Sequence, residues 1–213
     1  MPARLRPTAP IASDAILVGD PGRALMLAQE LLEQPKMSNH ARGLWGYSGA
    51  AKAGGELTIQ STGMGGPSAS VVLADLAELG LRRAIRIGTC ASLGDLELGE
   101  LLLVSEARTP GGAAATPDQE LTTALGKSLG DAHRGVAVSL DILHRPERDR
   151  PTLLAEGADM QTAALLVAAA EHGVAAAALL IVSEKSDSGQ LRDGELEQAA
   201  KRAGAAASGV LSA

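Results

Sequence analysis

Aromatic residues and cysteines are nearly absent from this chain. Its 213 residues include one Trp, one Tyr, no Phe and a single cysteine, Cys90. One cysteine excludes an internal disulfide and a cysteine-based zinc site, which favours a reducing compartment, and we expect a cytoplasmic protein. A core with so few rings must be assembled from Ala, Leu, Val and Ile side chains, so its strands and helices must approach closely.

An excess of basic charge and a long apolar run are also missing. The chain has 19 basic and 25 acidic residues, a formal net charge of −6, whereas a nucleic-acid backbone attracts a basic surface. The first ten residues, MPARLRPTAP, contain no apolar stretch of the signal-peptide type. The most apolar tract, 163–182, is interrupted by Glu171, His172 and Gly173. We therefore expect neither a nucleic-acid partner nor a membrane partner.

Short apolar runs alternate with amphipathic helical patterns, and no internal repeat or linker separates them. Strands that alternate with helices indicate an α/β fold. We expect a three-layer α/β/α sandwich with a central mixed, largely parallel sheet, in one domain over 1–213. The individual patterns predict strands over 15–18, 56–61, 84–87, 101–104, 136–139 and 176–182, and helices over 23–34, 68–79, 160–172 and 195–213.

Three of the predicted strands end in glycine-containing turns, at 19–22, 63–66 and 88–89. Ligands of open α/β sheets bind at the carboxyl ends of the strands, and backbone N–H groups in such turns can cradle an anion. Arg23 and Arg86 stand beside two of these turns. Arg86 lies inside an apolar strand, where burial requires a partner for its charge. That partner is either a bound anion or a carboxylate of the core.

Five segments resemble, in the same order, the motifs of the hexameric nucleoside phosphorylases, the family of bacterial purine nucleoside phosphorylase and uridine phosphorylase. The resemblance spans about 11–205 of the chain. The segments read VGDPGRA at 18–24, NHARGLWGYSG at 39–49, TGMGGPSAS at 62–70, RIGTC at 86–90 and GADMQ at 157–161.

The resemblance implies reversible phosphorolysis, in which phosphate attacks the anomeric carbon of a nucleoside and yields a free base and ribose 1-phosphate. Purine nucleosides are the substrates it favours. Inorganic phosphate is then a co-substrate, and no metal or organic cofactor is expected. The implied phosphate ligands are Gly19, Arg23, Arg86 and Thr89, with Arg86 also catalytic, and Arg42 reaches the phosphate of a neighbouring subunit. Such sharing implies a homo-oligomer, either a dimer or a trimer of dimers.

The same resemblance assigns the nucleoside side of the site. Met64 and Met160 form apolar walls against the ribose, and Trp45 and Tyr47 anchor the dimer interface. Further nucleoside-binding positions are Cys90, His144, Asp159, Gln161 and Ser183.

Three departures from the family pattern bear on the chemistry. Asp159 and Gln161 replace two glutamates of the ribose motif, and an amide offers one acceptor oxygen where a carboxylate offers two. Glu184 replaces the aspartate that protonates the leaving base, with Lys185 as an ion-pair partner and Asp187 as a fallback acid.

The third departure lies where the family carries a Phe and a Tyr for base stacking. Leu143 and His144 stand there instead. The Gln-x-Arg clamp of uridine phosphorylases is not visible, which favours a purine. Three alternatives stay open: a uridine phosphorylase, a hydrolytic nucleosidase, and an impaired paralogue that binds nucleoside or phosphate without turnover.

Several residues also have a purely structural interpretation. We expect Asp159 to serve the N-terminus of a helix. Cys90 is interpreted as a small buried residue and not as a nucleophile. The histidines at 40, 133 and 172 are expected on the surface, and no pair of them has metal-ligand spacing.

Overall fold

A computed structural model describes residues 4–130, 132–142, 154–186 and 189–213. Within these residues the chain forms eleven strands, five α-helices and a short 3₁₀ turn at Ala41–Gly43. In chain order they are β1 (Asp14–Val18), α1 (Pro21–Leu31), β2 (Leu32–Asn39), β3 (Gly46–Ala51), β4 (Glu56–Ser61), α2 (Gly66–Glu78), β5 (Arg83–Ser92), β6 (Leu101–Arg108), β7 (Ala114–Ala115), α3 (Gln119–Leu129), β8 (His133–Ser139), β9 (Gly157–Asp159), α4 (Thr162–Glu171), β10 (Ala175–Lys185), β11 (Gly189–Gln190) and α5 (Asp193–Leu211).

The three layers follow from the two-residue alternation of side chains along the central strands. Leu17 of β1 points into an apolar cluster with residues of α2 and α4, whereas its neighbours Ile16 and Val18 point into a cluster with residues of α1, α3 and α5. Both clusters are dominated by Ala, Leu, Val and Ile. The predicted α/β/α sandwich is therefore confirmed, with helices on both faces of the sheet.

The sheet is mixed, and its middle is parallel. β1 pairs in parallel with β4 and β5, and β5 pairs in parallel with β10. The pairings of β2 with β3, β3 with β4, β10 with β6, and β5 with β9 are antiparallel. These antiparallel additions to the predicted parallel centre were not indicated by the alternating sequence pattern.

Five strands of the sheet form a closed circuit. β5 pairs with β10, β10 with β6, β6 with β8, β8 with β9, and β9 returns to β5. This closure brings the ends of β5, β8 and β9 together on one side, although β5 lies far from the other two along the chain. The circuit therefore concentrates their terminal residues at one edge.

Six elements were absent from the sequence-based prediction: the strands β2, β3, β7, β9 and β11 and the helix α3. Helix α1 ends at Leu31, and the chain continues as β2. The helix predicted over 23–34 wrongly included the first three residues of this strand. Strand β2 has the polar sequence LEQPKMSN, forms one end of the sheet, and pairs with β3 through two irregularities in register. Helix α3 begins after Asp118, whose side chain accepts the Leu121 N–H at 2.9 Å.

A short N-terminal segment is fastened across α2 and β2. The buried carboxylate of Asp75 accepts the backbone N–H groups of Arg4 at 2.6 Å and Leu5 at 2.7 Å. The side-chain oxygen of Asn39 accepts the Arg6 N–H at 2.9 Å. This fastening places Arg4 and Arg6 beside the turn that carries Arg42.

Among the residues that the structure describes, no helix has both the length and the apolar character that a membrane crossing needs.

Helix α2 supplies a direct test of the core on the face it covers. Leu73 is fully buried, whereas Val71 on the same helix is 38% exposed. We expect Leu73→Ala to lower the free energy of unfolding by about 2–5 kcal/mol, because it removes buried methyl groups and leaves a cavity. Urea denaturation followed by far-UV circular dichroism measures this loss.

The matched control is Val71→Ala, which shortens an exposed side chain and should change the free energy of unfolding by about 0.5 kcal/mol or less. Equal effects of the two substitutions would contradict the assignment of Leu73 to the core.

Candidate active site

The carboxyl ends of β1, β4, β5 and β8 meet around one cavity of about 720 Å³. This volume is within the range of small-molecule sites. The lining residues come from the three glycine-containing segments, the end of β8 and the start of α4: Gly19, Asp20, Pro21, Arg23, Gly63, Met64, Gly65, Arg86, Gly88, Thr89, Asp141, Ile142, Asp159, Met160 and Gln161.

The turn after β1 presents Arg23 to this cavity. Pro21 begins α1, and the Asp20 side chain caps the helix by accepting the Arg23 backbone N–H at 2.7 Å. Burial lowers the pKa of the Arg23 guanidinium, the nearby Asp20 carboxylate opposes this, and the positive charge of Arg86 lowers it further. Two guanidinium groups that repel each other across one hollow form an environment that an anion would relieve.

The predicted turn at 88–89 is wrong, because β5 continues to Ser92 and includes Gly88 and Thr89. A Cβ atom at Gly88 would lie 2.6 Å from Nη2 of Arg86 and 2.8 Å from its Cζ. Only a residue without a side chain lets the guanidinium fold back along its own strand. Thr89 follows in the cavity lining.

The Arg86 side chain is 3% exposed and is held by three neighbours. Its Nη2 donates to Oδ2 of Asp159 at 3.0 Å, its Nη1 to Oε1 of Gln161 at 2.7 Å, and its Nε to Oγ1 of Thr162 at 3.1 Å. These bonds use three of the five N–H groups of a guanidinium, which leaves two for a ligand. Arg86 thus has a core carboxylate as partner and also lines the cavity.

Asp159 joins this cluster to the start of α4. Its carboxylate accepts the backbone N–H of Thr162 at 3.0 Å and that of Gln161 at 3.2 Å, and the hydroxyl of Ser139 donates to it at 2.5 Å. The predicted role of Asp159 at a helix N-terminus is confirmed. Asp159 is only 1% exposed, so its carboxylate is buried in the protein interior.

Gln161 uses both ends of its amide. Oε1 accepts from Arg86, and the Thr62 hydroxyl lies 3.2 Å from the same oxygen. Nε2 donates to the backbone carbonyls of Gly63 at 2.7 Å and Gly65 at 3.2 Å. The side chain therefore connects Arg86 to the turn after β4.

Apolar side chains stand at the mouth of the cavity. Met64 is 82% exposed and Ile142 is 56% exposed, and Met160 belongs to the same lining. Unbranched methionines adapt to flat or irregular partners. The exposed carboxylate of Asp141 lies beside them at the end of β8. Neither Asp141 nor Ile142 was predicted from the sequence as a site residue.

Arg42 lies in a different hollow, of about 560 Å³, together with Arg4, Arg6, Thr8 and His40. Its backbone is in the left-handed region at φ 59°, which is uncommon for a residue with a side chain. Within one copy of the described chain, this hollow and the larger cavity have no lining residue in common.

Ser183 and Glu184 lie at the end of β10, and neither belongs to the cavity lining formed by the described residues. The Ser183 hydroxyl donates to the Cys90 carbonyl at 3.4 Å. Lys185 forms an ion pair with Glu97 at 2.5 Å.

Cys90 is 2% exposed beneath the site. Burial raises the pKa of its thiol to about 12, the Asp159 carboxylate raises it further, and Arg86 opposes the shift. The interpretation of Cys90 as an inert, buried residue is confirmed. It does not line the cavity.

The remaining predictions from the sequence concern the dimer interface, the base-stacking segment, the fallback acid, the histidines and metal binding. Tyr47 is 6% exposed and packs in the core of its own chain, so its prediction as an interface anchor is wrong, whereas Trp45 is 36% exposed. Leu143, His144 and Asp187 lie outside the described residues. The histidines at 40, 133 and 172 are exposed as predicted. In the described ranges, no three His, Cys, Asp or Glu side chains are grouped for a metal.

The pKa of Cys90 predicts its reactivity. At pH 8 a thiol with a pKa of about 12 is ionised to about one part in 10⁴, so native protein should resist iodoacetamide. Mass spectrometry should find Cys90 unlabelled in native protein and labelled in urea. Rapid alkylation of the native thiol at pH 8 would contradict both its burial and its assignment as inert.

Comparisons with known proteins identify the family of this chain. The sequence profile of the phosphorylase superfamily matches residues 13–213. The chain is 32% identical to a DeoD-type purine nucleoside phosphorylase of Clostridium novyi, over 84% of this chain and 85% of that relative. It is 31% identical to one of Caldanaerobacter subterraneus, over 88% and 89% of the two chains.

A solved structure has the same fold. The uridine phosphorylase of Vibrio fischeri superimposes with a TM-score of 0.81 at 23% identity, covering 94% of this chain and 92% of that one. With matching profile, relatives and fold, the chain belongs to the phosphorylase superfamily.

Proposed function

We propose that this protein cleaves the N-glycosidic bond of a nucleoside by phosphorolysis, with purine nucleosides as the preferred substrates. The observation that carries the proposal is that one cavity is lined both by Arg23, Arg86 and Thr89 and by the apolar side chains of Met64 and Met160. Relatives named purine nucleoside phosphorylase align with more than four-fifths of the chain.

Phosphate binds at the ends of β1 and β5. The Arg23 guanidinium, the two unused N–H groups of Arg86, the Gly19 N–H and the Thr89 hydroxyl are donors suited to a dianion. Guanidinium groups bind two oxygens at once and stay charged throughout the working pH range. Their prior placement removes much of the entropy cost of bringing phosphate to the sugar.

A phosphate oxygen then attacks the anomeric carbon as the carbon–nitrogen bond to the base breaks. The bonding electrons leave with the base, which takes up a proton, and ribose 1-phosphate remains. Positive charge develops on the sugar in the transition state, where the bound dianion stabilises it. Inorganic phosphate is the co-substrate, and the reaction needs no cofactor.

The nucleoside lies against Met64, Met160 and Ile142. These side chains provide polarizable and apolar contacts for a ring system. The Gln-x-Arg clamp of uridine phosphorylases is not visible in the sequence, which favours a purine over uracil.

A second copy of the chain completes the phosphate site. Arg42 is presented by a turn whose left-handed backbone is held in place when Asn39 Nδ2 donates to the Leu44 carbonyl at 2.5 Å. Arg42 does not line the cavity of its own chain. The active form is therefore a homo-oligomer in which Arg42 acts in trans.

The test is nucleoside cleavage with and without inorganic phosphate, using inosine, adenosine, guanosine and uridine. Base release should require phosphate and be fastest with a purine nucleoside. Arg23→Gln should lower kcat/KM for phosphate about 10- to 100-fold, because it removes charge-assisted hydrogen bonds.

Arg82→Gln is the matched control for that substitution. Arg82 is an exposed arginine next to the opposite end of β5, and its Nη1 donates to the Leu81 carbonyl at 2.9 Å. Its removal should leave the phosphate dependence unchanged. Phosphate-independent release would identify a hydrolytic nucleosidase, and no release from any substrate would identify a binding protein without turnover.

Glu184 remains the predicted proton donor to the leaving base. Glu184→Gln should lower kcat at least about 100-fold for a poor leaving group if this carboxyl acts as general acid. The pH profile of kcat should lose its basic limb at the same time. A variant with wild-type kcat would remove Glu184 from the mechanism and leave the proton to be supplied by solvent.

A further inference from the structure

We infer that Gln161 is a positioning residue that fixes Arg86 and the turn after β4 through its neutral amide, and that it does not act as a ribose ligand. The inference rests on the proposed function, because Arg86 matters there as a phosphate ligand. It differs from the family resemblance, which assigns position 161 to the sugar hydroxyls.

The orientation of the amide is set by its surroundings. Oxygen and nitrogen of an amide are usually told apart by their partners. On one side Gln161 faces hydrogen-bond donors, the Arg86 guanidinium and the Thr62 hydroxyl. On the other side it faces two acceptors, the carbonyls of Gly63 and Gly65. Only an amide with its oxygen toward Arg86 satisfies both sides.

These contacts leave little capacity for a ligand. Both N–H groups of Nε2 have carbonyl partners. Oε1 accepts from Arg86 and also lies within 3.2 Å of the Thr62 hydroxyl, whose single hydrogen it shares with the Val18 carbonyl. Gln161 is also only 3% exposed. A ribose hydroxyl could bond to this side chain only by displacing one of its present partners, each of which would then lose a buried hydrogen bond.

A glutamate could not make the same contacts. A carboxylate has no N–H to offer the Gly63 and Gly65 carbonyls, so like partial charges would meet where hydrogen bonds now form. The substitution would also change the net charge of the cluster. Arg86 and Asp159 now balance each other beside a neutral Gln161, whereas a carboxylate at 161 would add a negative charge beside the phosphate site.

The chain therefore uses Gln161 to keep the turn after β4 close to Arg86 without adding negative charge. Gly19 belongs to the same junction, because a Cβ atom there would lie 3.4 Å from the Gly63 carbonyl and 3.6 Å from Oε1 of Gln161. The amide thus connects the turns after β1 and β4 with the guanidinium of β5.

The experiment compares the wild type with Gln161→Glu, Gln161→Met and the control Ser70→Ala. The Ser70 hydroxyl donates to the Ala164 carbonyl at 3.3 Å, so its loss weakens a different contact between α2 and α4. Both Gln161 variants should lower kcat/KM for phosphate about 10- to 100-fold, while KM for the nucleoside changes about threefold or less. Ser70→Ala should leave both constants unchanged.

The pH profile separates a positioning role from a general loss of stability. The carboxyl group introduced by Gln161→Glu is uncharged when protonated and then has an O–H to donate, so the phosphate defect of this variant should shrink as the pH is lowered. Gln161→Met has no group to titrate at this position, so its defect relative to wild type should not depend on pH.

Two results would overturn the inference. One is a Gln161→Glu variant with activity equal to or above that of the wild type. The other is a defect confined to KM for the nucleoside, which would assign Gln161 to the ribose as the resemblance implies.

A failure of the proposed function would be recognised separately, because the wild type itself would show no phosphate-dependent cleavage. The inference is then decided by the hydrogen-exchange rate of the Gln161 side-chain amide, measured by NMR in the wild type. The signals of this amide are those that disappear in the spectrum of Gln161→Met. Slow exchange supports the inference, since both N–H groups are bonded to protected carbonyls. Exchange as fast as that of an exposed glutamine contradicts it.

Discussion

The buried guanidinium of Arg86 is the constraint around which the site is built. A cation inside a protein is tolerated only when fixed partners replace the water it has lost. Asp159 supplies the opposite charge, and Gln161 and Thr162 supply two further acceptors. Because these partners lie within residues 159–162, satisfying one charge determines where this distant segment meets β5.

The same arrangement leaves the cavity with donors suited to the proposed phosphate although the protein as a whole is acidic. The negative charge of Asp159 is consumed by Arg86 and by N–H groups at the start of α4. Asp20 is in part committed to capping α1. Arg23 is therefore the cation whose charge is least compensated within the lining.

The sequence predicted the layers, the central strands and the glycine turns after β1 and β4, because these depend on local patterns. Strand β2 escaped prediction because its sequence, LEQPKMSN, is polar and continues a helical pattern. The cluster around Arg86 could not be predicted in detail, because Asp159 and Gln161 lie 73 and 75 residues away along the chain. Only the pairing of β5 with β9 brings them together, and the amide contacts of Gln161 then follow from backbone geometry.

The polar character of β2 affects whether copies of the protein can aggregate through the edge of the sheet. An outermost strand with free N–H and C=O groups can recruit another molecule and start fibrillar growth. In β2, Pro35 has no N–H to offer, the charge of Lys36 repels an identical strand, and the irregular register on both sides of Lys36 and Met37 spoils a flat template. Extension of the sheet from one copy of the protein to the next is thus disfavoured at β2.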